Sequence, residues 1–141
     1  FGAAAITNNE MKDMIDVVLN DLENSNYLND TFYSNSKAKN LIQRGSSINK
    51  IRNYLMSKGI NQKFVKETLD KIKDENADQD FFSALKICKK RRIGPCRIED
   101  NRPLFYKKDI AVLARNGFDF DTSKRVMDLS KEEYEKITRL F

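Results

Sequence analysis

An all-α protein built from tandem three-helix repeats is the fold this sequence predicts, and three observations carry it. Of 141 residues, 33% are charged and only 2 are proline and 5 glycine, a balance that suits exposed helices better than short strands joined by tight turns. Apolar residues recur at steps of three and four through most of the chain. The chain also matches itself: Ile15, Leu19, Leu22, Asp30 and Phe32 align without a gap on Val65, Leu69, Ile72, Asp80 and Phe82 at a shift of 50. Leu55, Gly59, Ile60 and Leu69 align on Leu113, Gly117, Phe118 and Met127 at a shift of 58, which leaves an eight-residue insertion beside a basic run. Such repetition predicts an elongated, curved helical array rather than one deep pocket.

Each element has its own local signal. Thr7 and Glu10 form a T-x-x-E capping box, which starts a helix whose Met11, Met14, Ile15, Val18, Leu19 and Leu22 share one face and are expected in the core. NSNYL reads as a break, after which Asn29 or Asp30 caps a helix running through Phe32, Ala38, Leu41 and Ile42 to Gly45. Ser46 or Ser47 caps the next, with Ile48, Ile51, Tyr54 and Leu55 on its buried side and Gly59 at its end. Asn61 opens a helix carrying Phe64, Val65, Leu69 and Ile72.

The pattern restarts at Asp80 and Phe82 with a helix through Leu85 and Cys88 that ends in a basic run before Gly94-Pro95. The polar loop RIEDNRP leads to a helix with Ile110 and Leu113 that stops at Gly117. Asp119 or Asp121 caps the next, which holds Val126 and Met127, and a Ser130/Glu133 box begins a last helix with Tyr134, Ile137 and Leu140. The predicted organisation is residues 1–28 as the last helix of a truncated first repeat, 29–76 as a complete repeat, 77–129 as a third repeat with a longer basic loop, and 130–141 as a C-terminal helix. Asp30 and Phe32, a cap and a core anchor, join Leu55, Gly59, Phe82, Leu113 and Gly117 as its structural markers.

Composition removes several function classes. With no histidine, His-containing zinc sites and Ser-His or Cys-His pairs are impossible, and Cys88 and Cys96 lack C-x-x-C spacing and read as reduced thiols. No phosphate-cradling G-x-x-x-x-G-K-[ST] stretch occurs, and Glu99 with Asp100 gives too few carboxylates for a calcium loop. No catalytic residue, cofactor or metal is expected. No apolar run approaches the roughly 20 residues of a membrane span, and FGAAAI lacks the basic flank and length of a signal peptide, so a soluble cytoplasmic protein is expected. The chain opens on Phe1 rather than methionine and is read as incomplete at that end.

Charge is unevenly spread. Residues 1–30 hold six acids against Lys12 alone, whereas residues 86–115 hold ten basic residues against Glu99, Asp100 and Asp109. A positive field of this kind attracts polyanions, whether nucleic acid or an acidic protein surface.

The stretch from Tyr27 to Asp70, YLNDTFYSNSKAKNLIQRGSSINKIRNYLMSKGINQKFVKETLD, runs from Leu-Asn-Asp before an aromatic, through a basic helix ending in Arg-Gly, to Lys-Ile-Arg, Leu, Lys-Gly-Ile and an amphipathic helix. It resembles the RecX family of bacterial RecA modulators, and RRIGPCR, KKDIAVLARNGFDFD and SKRVMD look like a third RecX repeat. The resemblance covers roughly residues 10–130 and rests on the order and spacing of pieces that are individually weak. It implies tandem three-helix repeats lying in the groove of the RecA–DNA filament and suppressing its ATPase, strand-exchange and coprotease activities, a part in homologous recombination, DNA repair and the SOS response. Tyr33 and Tyr54 depart from the small or acidic residues that relatives carry, and the loop at 97–103 is longer than its counterpart in the middle repeat.

Two basic groups are the candidate contacts for that filament and its DNA. Lys37, Lys39, Arg44, Lys50, Arg52 and Lys58 belong to the middle repeat; Lys89, Lys90, Arg91, Arg92, Arg97, Lys107 and Lys108 form the denser later patch, together with Lys86 and Arg102. Cations in a helix's last turn favour its exposed carbonyls, but four in a row exceed that need. Phe105 and Tyr106 are the aromatic candidates beside the patch. A monomer is expected, and a stand-alone nucleic-acid-binding helical module is the alternative that the charge asymmetry alone supports.

Overall fold

The computed structural model describes residues 7–140, so the FGAAAI start and Phe141 lie outside the described residues. Among these residues the chain is all-α: α1 (Asn8–Gln43), α2 (Ile48–Ser57), α3 (Gln62–Glu75), α4 (Gln79–Arg91), α5 (Arg102–Arg115), α6 (Phe120–Met127) and α7 (Lys131–Thr138), with single 3-10 turns at Gly94–Cys96 and Glu99–Asn101. No helix among the described residues is long and apolar enough to cross a membrane.

Local signals place most helix ends. Both capping boxes form, Thr7 with Glu10 and Ser130 with Glu133. Ser47 rather than Ser46 caps α2, Asn61 caps α3 and Asp119 rather than Asp121 caps α6, each accepting a first-turn amide. Gly45, Gly59 and Gly117 end α1, α2 and α5 in the same way: the amide after each glycine returns to a carbonyl five residues back (Ser46 to Leu41, Ile60 to Leu55, Phe118 to Leu113).

The expected break at NSNYL is absent. α1 continues for 36 residues, about 54 Å, because Asn and Ser lower helix propensity without removing a hydrogen bond, and neither Gly nor Pro lies within it. Two readings change with it. Asp30 lies inside a helix rather than at its start, and Phe32, expected as a core anchor, is 75% exposed. The methionine-rich stripe is also open: Met11, Met14, Ile15, Val18, Leu19 and Leu22 are each 50–59% exposed. Their spacing specifies one helical face, but no described residue packs over it.

Two apolar clusters hold the rest. Ala38 on the C-terminal part of α1, Ile51 and Leu55 on α2, and Val65, Leu69 and Ile72 on α3 form the first, with Tyr33 and Tyr54 packed at its margin. The second joins Phe81, Leu85 and Cys88 of α4 to Val112 and Leu113 of α5, Phe118, and Val126 and Met127 of α6, with Phe82, Tyr134 and Ile137 against it. Leu140, expected on the buried side of the last helix, is exposed because α7 ends at Thr138.

Contacts between helix ends join the clusters. Ser47 Oγ donates to the Asn116 carbonyl at 2.7 Å and Asn49 Nδ2 to that of Gly117 at 3.2 Å, so the start of α2 meets the end of α5. Asp80, expected to cap its own helix, lies in the first turn of α4 behind Asp78 and accepts the Ile48 amide of α2 at 2.8 Å. Burial raises the Asp80 carboxyl above its ordinary value and the Ile48 amide opposes that shift.

Candidate functional site

The later basic patch is divided between structural work and open surface. The four cations Lys89 to Arg92 are all exposed at the end of α4, the first three in its last turn, where positive charge favours the helix dipole. Lys90 reaches across the joint, its ammonium 2.5 Å from the Arg44 carbonyl at the end of α1. Arg92 closes α4 with φ at 55°, a left-handed conformation that costs a non-glycine residue about 1 kcal/mol. That geometry separates Arg92 from the helical row of its neighbours.

Arg97 is not an open cation. Its guanidinium meets Asp109 at 2.6 and 2.8 Å and lies 4.1 Å from the centre of the Phe105 ring, while Asp109 is fully buried and also accepts the Gly94 amide at 2.9 Å. The hydrogen bond to Asp109 raises the Arg97 guanidinium above its ordinary value. Arg102 donates to the carbonyls of Met127 and Leu129 at 2.7 and 2.6 Å. The long loop is therefore pinned at both ends, while Lys107, Lys108 and Arg115 of α5 are exposed, Lys108 with its ammonium 5.8 Å from the centre of the Phe105 ring. Phe105 lies under Arg97, while Tyr106 packs against the second cluster with its hydroxyl 3.2 Å from Asp128, so neither is a free stacking platform.

Asp109 was the residue sequence reasoning missed. The signal is its register: it stands three and four residues before Val112 and Leu113, on the buried face of α5, where a carboxylate requires a cationic partner.

In the middle group, Lys39, Arg44 and Lys50 are exposed, and Arg52 is half-buried with its guanidinium donating to Asn49 Oδ1 at 2.8 Å. Lys37 and Lys58 converge on one ring, each ammonium 5.6 Å from the centre of Tyr54. The hydroxyls of Tyr33 and Tyr54 stand 3.5 Å apart at the same place. The structure brings α1 and α2 residues together here that sequence analysis had kept as a diffuse set.

The arrangement is thus a helical scaffold with cations on two clusters, and sequence comparison gives it relatives. Residues of this chain align with the regulatory protein RecX of Myxococcus xanthus at 32% identity over 119 positions, covering 81% of this chain and 60% of that protein. Its relatives are RecX regulatory proteins. The RecX protein of Clostridioides difficile is 28% identical over 131 positions, 88% of this chain and 58% of its own length. That of Clostridium botulinum is 30% identical over 116 positions, 82% and 53%. The chain spans between half and two thirds of these RecX proteins. No protein-family model matches the chain, and no solved structure matches it.

Proposed function

We propose that this chain is a non-catalytic negative modulator of RecA. It binds in the groove of the RecA–DNA filament and inhibits ATP hydrolysis, strand exchange and filament extension. The observation that carries this reading is the likeness to RecX regulatory proteins over about four fifths of the chain. Open cations on both clusters, Lys39, Lys50, Arg91, Lys107 and Lys108 among them, support it, because a groove walled by DNA and acidic protein needs many weak charge contacts. The two clusters serve as successive repeats of a curved array, a reading supported by the matched Leu55-Gly59 and Leu113-Gly117 helix ends. The chain acts in the cytoplasm, as a monomer.

Added to RecA on single-stranded DNA, the protein lowers ATP hydrolysis and shortens filaments. Unchanged hydrolysis and filament length at saturating protein sink the proposal. Reversing Arg91 and Arg92 to Glu weakens the inhibition while helix content stays the same; full inhibition by that variant moves the interface elsewhere. Binding to DNA without recombinase, steeply weakened by salt, with no effect on the filament, favours the stand-alone nucleic-acid module.

A further inference from the structure

A second concentration of cations lies away from the run that ends α4. Residues 31–66 contain eight lysines and arginines and not a single aspartate or glutamate. Within that stretch the fold gathers two lysines from different helices onto one aromatic ring: Lys37 of α1 and Lys58 beyond α2 each lie 5.6 Å from the centre of Tyr54. Neither has a carboxylate partner among the described residues, where the ion pairs are Arg97 with Asp109 and Arg125 with Asp78. Two ammonium groups drawn to one ring leave positive charge there with no counter-charge. The ring offsets part of that charge, and a bound anion would neutralise the rest.

The tyrosines supply a donor at the same point. Both rings are half-buried against the first apolar cluster, which fixes their positions and leaves their hydroxyls at its margin. The two oxygens lie 3.5 Å apart in a long hydrogen bond, and where Tyr33 is the donor the Tyr54 proton remains available to a third oxygen. The Tyr33 hydroxyl, together with Lys37 and Lys58, holds the Tyr54 phenol below its ordinary value against the opposing effect of burial, which strengthens it as a donor. Two cations and a fixed hydroxyl donor suit a tetrahedral oxyanion.

Lys50 extends the site into a row. Lys50 and Tyr54 share a face of α2, Lys58 follows four residues on as the residue that closes the helix, and Lys50 is exposed. A nucleic-acid strand repeats its negative charge every few ångströms, whereas a free phosphate or a phosphorylated side chain presents one centre. We propose that Tyr33, Tyr54, Lys37 and Lys58 form a phosphodiester-binding site, continued by Lys50, that takes the backbone of a single nucleic-acid strand. The inference rests on the recombinase reading only for where such a strand would be met. Strand binding is measured with no recombinase present, so the two proposals fail separately.

The test uses the full 141-residue chain and a fluorescent thymidylate oligomer, titrated at several salt concentrations. Exchanging both tyrosines, Tyr33→Phe with Tyr54→Phe, keeps the rings in the apolar cluster and removes only the hydroxyls; it weakens binding about tenfold and leaves the salt slope unchanged. Exchanging both lysines, Lys37→Gln with Lys58→Gln, weakens binding and lowers the slope of log K against log salt by about 1.4. Circular dichroism confirms that both proteins keep their helix content. Wild-type affinity in the tyrosine double variant, or an unchanged salt slope in the lysine double variant, overturns the site. Displacement of the oligomer by millimolar inorganic phosphate at matched ionic strength assigns the site to a free phosphate and overturns the strand reading.

Discussion

Asp109 and Cys88 show how burial changes the meaning of a single side chain. Asp109, three residues before Val112 in sequence, has its whole carboxylate withdrawn from water and is held by Arg97 and the Gly94 amide. Removing it strands a guanidinium against the core and frees the start of the long loop. Asp109→Ala therefore destabilises the fold by about 3 kcal/mol in denaturant unfolding. Cys88 lies wholly inside the second cluster, and burial pushes its thiol from 9.0 up to about 12, with Cys96 and Asp109 adding to the shift. A raised thiol makes the folded state prefer the protonated form. Its contribution to stability is full below about pH 9 and is lost as pH rises toward 12. Alkylation at pH 8 leaves Cys88 unmodified in the native protein and modifies it in guanidinium, as peptide mass spectrometry will register. Rapid native modification would contradict the burial.

Helices and turns are where sequence reading succeeds and where it first misleads. Gly45, Gly59 and Gly117 terminate helices because each adopts a positive φ that the following amide exploits, and this depends on neighbours within six residues. The two aligned glycines nevertheless differ in surroundings. A methyl group on Gly59 meets nothing within 4 Å, whereas on Gly117 it meets Ser47 Oγ, the atom that caps α2 and bonds to Asn116. Gly59→Ala costs about 1 kcal/mol for the left-handed backbone alone. Gly117→Ala costs at least twice that, because the joint between clusters must open as well. Thermal unfolding of the two variants side by side decides; equal losses would mean that the α2–α5 contact contributes nothing. NSNYL illustrates the opposite case. Its residues favour turns in isolation, yet α1 carries on through them to reach the Tyr33 and Ala38 contacts with α2 and α3.

Across the whole molecule, stability is concentrated in residues 31–138, and the first half of α1 stands apart. An apolar stripe that is half exposed along its length gives that segment no tertiary support, and a lone helix of this size is marginal in water. Amide hydrogen exchange of this chain shows residues 8–24 near the unprotected rate and the buried amides of α3, α4 and α5 strongly protected. Protection of both to the same degree would show that a second surface covers the stripe. The basic surface belongs to the same scale. Lys89 to Arg92 were legible as a charge run, but Lys90 and Arg97 turn out to hold the structure together, while Lys37, Lys58, Tyr33 and Tyr54 form a cluster only because α1 and α2 cross beside one another.

Local chemistry was written in the sequence: the capping boxes at Thr7 and Ser130, the glycine stops, the helical class and the apolar face of each helix all follow from residues within a turn or two. The likeness to RecX was legible too, through the order of short motifs. Tertiary structure alone decided what each face meets. It left Met11 through Leu22 open, turned Phe32 outward, sent Asp80 to the amide of Ile48 and closed Arg97 onto Asp109. Periodicity states that a face is apolar and charge states that a residue is cationic. Whether either is covered depends on partners 12 to 69 positions away, and those meet only once the helices have packed.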